Sequence, residues 1–196
     1  MQEARKAVIG QPQSEDITTK ALTVTPEATT TSLALSATTA SYGHESVIRL
    51  SAASTSQYGE LVTGVVDVQL GNLLVCQSNL TAGRGSCLLP DTALGVGTSH
   101  LVADLYPDAN FSASVSTSHA VTVGKGSDTT TLTLSKTVVA YGHENAERLS
   151  VRVSPRYHGS PGGGVIVKAC SMTLCVITLR AGTGSCVLGA VDGLTS

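Results

Sequence analysis

Apolar and polar residues alternate along this chain in short runs: Leu33 and Leu35, Leu50 and Ala52, then Val66, Val68 and Leu70, answered later by Leu132, Leu134, Leu149, Val151, Val153, Val165 and Val167. A period of two puts every second side chain on one face of an extended chain, so each run reads as a strand with one buried face. Clusters of Gly, Pro, Ser and Asn interrupt the runs roughly every 8 to 12 residues, the rhythm of a β-sandwich. No stripe at helical spacing appears, and the expected fold class is all-β.

The alternation repeats. Sliding the chain by 99 residues places Tyr42-Gly43-His44-Glu45 on Tyr141-Gly142-His143-Glu144 and Arg49-Leu50-Ser51 on Arg148-Leu149-Ser150. The same shift places CQSNLTAGRGSC (76–87) on CVITLRAGTGSC (175–186) without a gap, and 25 of 69 positions from residue 29 to 97 are identical. A period near 100 is too long for a solenoid, whose units run to roughly 45 residues, so each unit is expected to be a complete sandwich.

Three segments follow: residues 1–27 as the tail of a preceding module with its linker, 28–123 as the first repeat, and 124–196 as a second repeat that stops before its last strands. Lys20-Ala21-Leu22-Thr23-Val24 lines up with His119-Ala120-Val121-Thr122-Val123, the closing strand of the first repeat. The expected picture is a fragment of a longer protein, its second sandwich incomplete, with unpaired edges and an open core.

Composition narrows the classes of function. Charged residues make up 13% of the 196 and the formal net charge is -2, so no basic footprint exists for a phosphate backbone and nucleic acid is not expected as a partner. No apolar run reaches the roughly 18 residues of a membrane-spanning helix, so membrane insertion by this segment is not expected. The opening residues lack the apolar core of a secretory signal, which in a fragment carries no information. With no Trp and one Phe, the cores must be built from Val, Leu and Ala.

Five cysteines raise the question of redox state. In a hairpin turning near Thr81, Ala82 and Gly83, Cys76 and Cys87 share a face. They sit opposite if the turn centres on Thr81-Ala82, and diagonally, too far apart without a bulge, if it centres on Ala82-Gly83. The expected pairs are Cys76 with Cys87 and Cys175 with Cys186, leaving Cys170 a free thiol; the alternative keeps all five reduced as small hydrophobes. Metal binding is not expected, since Cys170 and Cys175 lack a C-x2-C partner and no histidine cluster accompanies them.

Other chemistry is thin. His44-Glu45 and His143-Glu144 follow Tyr-Gly turns and read as solvated turn residues, because no nucleophile recurs beside them. Asp104, Asp108 and Asn110 carry oxygen ligands, but a turn stabilised by Asp and Asn explains the same letters better than calcium. Asn79-Leu80-Thr81 and Asn110-Phe111-Ser112 match a glycosylation sequon that arises often by chance in such a chain. Tyr106 suits a packing role at a strand corner. Gly162-Gly163-Gly164 precedes a strand, which excludes a phosphate cradle at a helix N-terminus.

TTTSLALSATTASYGHESVIRLSA, the AG-x-G turn and SHLVADLYPDANFSAS together resemble the bacterial Ig-like domain repeats of the group 3 type, over about 99 residues once and 73 a second time. Tyr106-Pro107-Asp108-Ala109-Asn110-Phe111 departs from the family pattern in lacking the glycine before the aspartate. The resemblance implies tandem immunoglobulin-like sandwiches on secreted or surface proteins of bacteria, with neighbouring modules as partners and no catalytic residue or cofactor. The expected function is therefore a non-catalytic extracellular spacer, stalk or adhesion module, with an unidentified protein or glycan ligand if any. The alternative is an accessory domain, spacer or substrate-binding, of a secreted hydrolase.

Overall fold

The computed structural model describes residues 22–189. Most of the expected preceding tail, residues 1–21, and the final residues 190–196 lie outside the described part. Among the described residues the chain is all-β, with fourteen strands, two single turns of 3-10 helix and no α-helix.

Residues 29–124 form the first unit: β1 (Thr29–Leu35), β2 (Thr39–Ser41), β3 (Arg49–Ser56), β4 (Gly64–Leu70), β5 (Leu73–Leu80), β6 (Arg84–Leu88), β7 (Gly97–Leu105), β8 (Ser114–Val115) and β9 (His119–Gly124). One sheet has the order β1-β3-β6; the other runs β2-β9-β7-β4-β5, with β8 on β7. All pairings are antiparallel except β2 with β9. The alternating residues meet in one core, where Leu33, Leu50 and Ala52 from the first sheet join Val66, Val68, Leu101, Ala103, Val121 and Val123 from the second. Each fully buried Val or Leu contributes about 1.5 to 3 kcal/mol, which lets a core without Trp hold.

The second unit has β10 (Asp128–Leu134), β11 (Arg148–Pro155), β12 (Gly164–Ala169), β13 (Met172–Thr178) and β14 (Thr183–Val187). They form the sheets β10-β11-β14 and β12-β13, in registers matching β1-β3-β6 and β4-β5. Its core is smaller: Leu149, Val151, Val153, Val167, Ile177, Leu179 and Leu188. Here the expected alternation departs from burial. Leu33 is 4% exposed, but its equivalent Leu132 is 44% exposed and Leu134 is 48%, because nothing among the described residues stands where β7 to β9 cover the first unit's β1.

The AG-x-GSC ending has a physical explanation. Ala82 and Gly83 hold positive φ (51° and 73°), the conformation of a two-residue I′ turn closed by the Thr81–Arg84 bridge, and Ala181 and Gly182 repeat it at 48° and 77°. Beyond that bridge the strands part, since β5 stays on β4 and β6 on β3, making the turn a corner between sheets. A Cβ on Gly83 would stand 2.5 Å from the Ser54 carbonyl oxygen, and one on Gly182 2.5 Å from that of Val153. At Gly85 and Gly184, where the two strands leave the corner closest together, a Cβ would come within 2.6 Å of Ser78 Oγ and 2.4 Å of Ile177 Cγ2 respectively.

Candidate functional site

The recurrent Tyr-Gly-His-Glu segment marks the best-defined constellation of polar groups. In the first unit the chain leaves β2 through Tyr42 and Gly43, the latter at φ 82°, and enters the 3-10 turn Glu45–Val47. Short turns leave backbone N–H groups without intrahelical partners. Two acids meet such donors here, for Glu45 Oε2 accepts the Thr92 N–H at 2.9 Å and Asp91 Oδ1 accepts the Ser46 N–H at 2.8 Å. The two bonds lace the turn to the loop after β6. That Ser46 N–H, with lesser help from the Ser46 hydroxyl and from His158 and His44 nearby, outweighs burial and holds the Asp91 carboxyl below the usual carboxylate range.

The glutamates are therefore not solvated turn residues. Glu45 is fully buried and Glu144 nearly so, because each turns inward to serve backbone donors. Glu144 Oε1 accepts the Gly142 N–H at 3.0 Å, and backbone hydrogen bonds from its own N–H and from Gly142 lower its pKa. Sequence reasoning missed Glu147, which is buried where the first unit carries Ile48. Its Oε2 accepts the Ser135 hydroxyl and the Lys136 N–H at 3.0 and 2.7 Å. The replacement of an apolar residue by an acid at an otherwise periodic position was the signal that could have found it.

The first turn is seated against the second unit. The His158 N–H donates to the Gly43 carbonyl at 3.1 Å, and His158 Nε2 lies 3.6 Å from Asp91 Oδ2. The His44 ring stacks on Tyr157, with the Arg156 guanidinium 5.4 Å from that ring's centroid. A Cβ on Gly43 would fall 1.8 Å from the His158 carbonyl oxygen, so only glycine fits there. Tyr42 lies over Gly159, whose own Cβ would come 3.2 Å from the tyrosine ring. This junction brings His44, absorbed into no expected chemistry, together with residues 156–159, which the sequence did not mark.

The cysteines sit at the sheet corners. Cys76 is bonded to Cys87 and Cys175 to Cys186, with Cα atoms 6.4 and 6.6 Å apart. The turn is centred on Ala82-Gly83, for which a flat hairpin puts the pair too far apart. The separation closes because β5 and β6 belong to different sheets, so each bridge joins the two sheets and does not cross a ladder. Cys170 is free and exposed. It holds φ 51° in the turn between β12 and β13, where the first unit has Gly71 at 58°.

The remaining candidates are dispersed. Asp108 Oδ1 accepts the N–H groups of Asn110 and Phe111 at 2.8 and 2.7 Å, closing the expected Asx turn. Asp104 stands on β7 directly opposite Asp67, which takes a hydrogen bond from Gln77 Nε2 at 2.8 Å. Asp67 beside Tyr106 raises the tyrosine's pKa, and Tyr106 is half-exposed, not packed into a corner. Asn79 and Asn110 face solvent, and Gly163 at φ 91° leads into β12. Among the described residues no three His, Cys, Asp or Glu side chains converge as a metal site, and no helix is long and apolar enough to cross a membrane. No protein-family model matches the chain, and no curated protein matches it in sequence.

Proposed function

We propose that this chain is a stretch of tandem immunoglobulin-like sandwiches acting as a non-catalytic spacer or stalk in an extracellular or cell-surface protein. One observation carries the reading: the first unit's Tyr42-Gly43-His44 turn docks on residues 156–159 of the second through a backbone hydrogen bond and a ring stack. A linker that merely connects binding modules gains nothing from such a seat, whereas a spacer gains reach from a stiffened joint.

Three further features agree with it. The two-sheet order of the first unit suits an immunoglobulin-type sandwich, with the β1-β3-β6 sheet facing the sheet that contains β4, β7 and β9. One disulfide per unit suits an oxidising compartment outside the cell. The titratable groups with shifted pKa values, Asp91, Tyr106 and Glu144, serve turns and strand edges and do not converge on a cleft.

The test places the chain between a surface anchor and an epitope tag and compares antibody access with that of a Gly/Ser linker of equal residue number. A stalk of folded units lifts the tag above the surface layer and gives greater access than the coiled linker. Equal access for the two would overturn the spacer reading.

A further inference from the structure

Each unit turns the outer side of one sheet away from its core: β1-β3-β6 in the first, β10-β11-β14 in the second. In the first unit β7 to β9 pack on the inner side of that sheet, so this outer face does not depend on them. Residues alternating with the core point outward here, and antiparallel pairing sets them in rungs across the sheet. In the first unit Arg49 lies beside Leu88, Ser51 beside Ala34 and Ser86, and Ala53 beside Ser32 and Arg84. In the second, Arg148 lies beside Val187, Ser150 beside Thr133 and Ser185, and Arg152 beside Thr131 and Thr183. None of these residues is an acid or an aromatic. The chain has 14 Asp and Glu against 12 Lys and Arg, so both faces are positive in a chain that is negative overall.

The second arginine of each face has changed strand and kept its rung. Ala53 and Arg84 are cross-strand partners, and so are Arg152 and Thr183 at the equivalent positions. In both units that rung stands about 13 Å along the strand from the rung of Arg49 or Arg148. Arg84 and Arg152 are exposed, so packing asks for no charge there, whereas a ligand with charged groups so spaced does. Hydroxyls hold three of the four guanidinium groups over the sheet. Arg49 Nη1 donates to Ser86 Oγ at 3.0 Å, Arg148 Nη2 to Ser185 Oγ at 2.6 Å and Arg152 Nε to Ser154 Oγ at 3.3 Å. Among the described residues none of the four arginines is ion-paired. Small side chains between them leave a shallow hollow on each face, lined by Ser32, Ser51, Arg84 and Ser86 in the first unit and by Arg148, Ser150, Arg152 and Ser185 in the second.

We propose that these two faces bind an extended polysaccharide that carries carboxylates, of the uronate type. A guanidinium fork matches a planar carboxylate through two parallel hydrogen bonds. The Ser and Thr hydroxyls, each both donor and acceptor, meet the sugar hydroxyls between the acids. Two well-separated arginines per unit suit a polymer whose charges are spaced by sugar rings. Nucleic acid asks for denser cations and for rings on which its bases stack, and these faces have neither. Each contact alone is weak, and repeated carboxylates along one polymer raise the occupancy. The assignment goes beyond the spacer reading and does not depend on it.

The test is an NMR titration of the intact oxidised chain at low salt with four probes: a polygalacturonate oligomer, its fully methyl-esterified form, polyglutamate and phosphatidylglycerol vesicles. The oligomer should shift the signals of Arg49, Ser51 and Ser86 and of Arg148, Ser150 and Ser185, and added salt should reverse the shifts. The methyl ester, which keeps the sugar and loses the charge, should not. Arg84→Thr should weaken binding at the first face several-fold, and adding Ala53→Arg should restore it by recreating the second unit's rung. The buried Leu50 and Leu149 signals report that each variant folds. Arg152→Ala with Thr183→Arg makes the reciprocal exchange on the second unit should the first pair misfold. The proposal is overturned if the oligomer shifts none of these signals, if the methyl ester binds as well as the acid, or if the moved arginine fails to restore binding in a folded chain. It is equally overturned if polyglutamate or the vesicles shift the signals as strongly as the oligomer, which would assign the faces to an acidic protein or a lipid surface.

Discussion

The His44 imidazole lies on the Tyr157 ring with centroids 4.2 Å apart and planes 2° from parallel, joining a turn of the first unit to a strand end of the second. Ring pairs of this kind contribute about 0.5 to 1.5 kcal/mol beyond the area they bury. Replacing Tyr157 with Ala is expected to leave both units folded and to uncouple their tumbling. Backbone 15N relaxation would then give two rotational correlation times where the native chain gives one. A double-mutant cycle with His44→Ala should return a coupling of about 1 kcal/mol. Unchanged, common tumbling in Tyr157→Ala would show that the stack does not hold the joint.

Gly43 and Gly142 make a matched pair with different surroundings. Both hold positive φ, which costs an alanine about 1 to 2 kcal/mol. Only at Gly43 does the added Cβ also strike backbone, 1.8 Å from the His158 carbonyl oxygen. Gly43→Ala should therefore lose stability and displace the 156–159 signals, whereas Gly142→Ala should show the backbone cost alone. Urea titration of the two variants checks this, and equal losses with no movement at His158 would contradict the seated turn.

Acid should loosen both turns. Asp91 and Glu144 have folded-state pKa values below their ordinary ones, so the native state binds fewer protons than the unfolded chain. Their contribution is complete above the unfolded carboxylate range of about 4 and is lost as pH falls through the lower folded values. Thermal melts should show the melting temperature falling below pH 4 or so in the native chain. Asp91→Asn keeps an oxygen to accept the Ser46 N–H and removes the titration, so its melting temperature should depend less steeply on pH in that window.

The disulfides should contribute separately to each unit. Each closes a loop with a sequence separation of 11 residues, for which the chain-entropy model gives about 3 kcal/mol. Alkylation before reduction should label one thiol, Cys170, and alkylation after reduction all five cysteines. Reduced chain should unfold at lower urea. Five thiols labelled before reduction would remove the inference of an oxidising compartment.

Much of the fold was legible because strands announce themselves by local alternation, and because the 99-residue repeat fixes which runs correspond. The cysteine partners were legible for the same reason. What the sequence hid was nonlocal. A hairpin and a corner between sheets share the letters AG-x-G, and only pairing with β3 and β4 decides between them. The inward turn of Glu45 depends on the Thr92 N–H, 47 residues away. The junction joins residues 42–44 to 156–159, whose own sequence has no periodicity to mark it. The exposure of Leu132 agrees with the open second core expected from the repeat, since alternation reports which face a residue is on and not whether another sheet covers that face.

That last difference gives a direct comparison within one molecule. Leu33 and Leu132 occupy the same register position, opposite Ala52 on β3 and Val151 on β11. Leu33 is packed under β7 to β9 and Leu132 is 44% exposed. Truncating a buried leucine to alanine removes transfer energy and leaves a cavity, together about 2 to 5 kcal/mol, whereas a residue already half in water loses only part of its transfer term. Leu33→Ala should therefore destabilise the first unit by at least about 2 kcal/mol, and Leu132→Ala the second by less than about 1 kcal/mol. Unfolding followed by NMR signals assigned to each unit separates the two. Equal costs would mean that the β10 face is covered in solution.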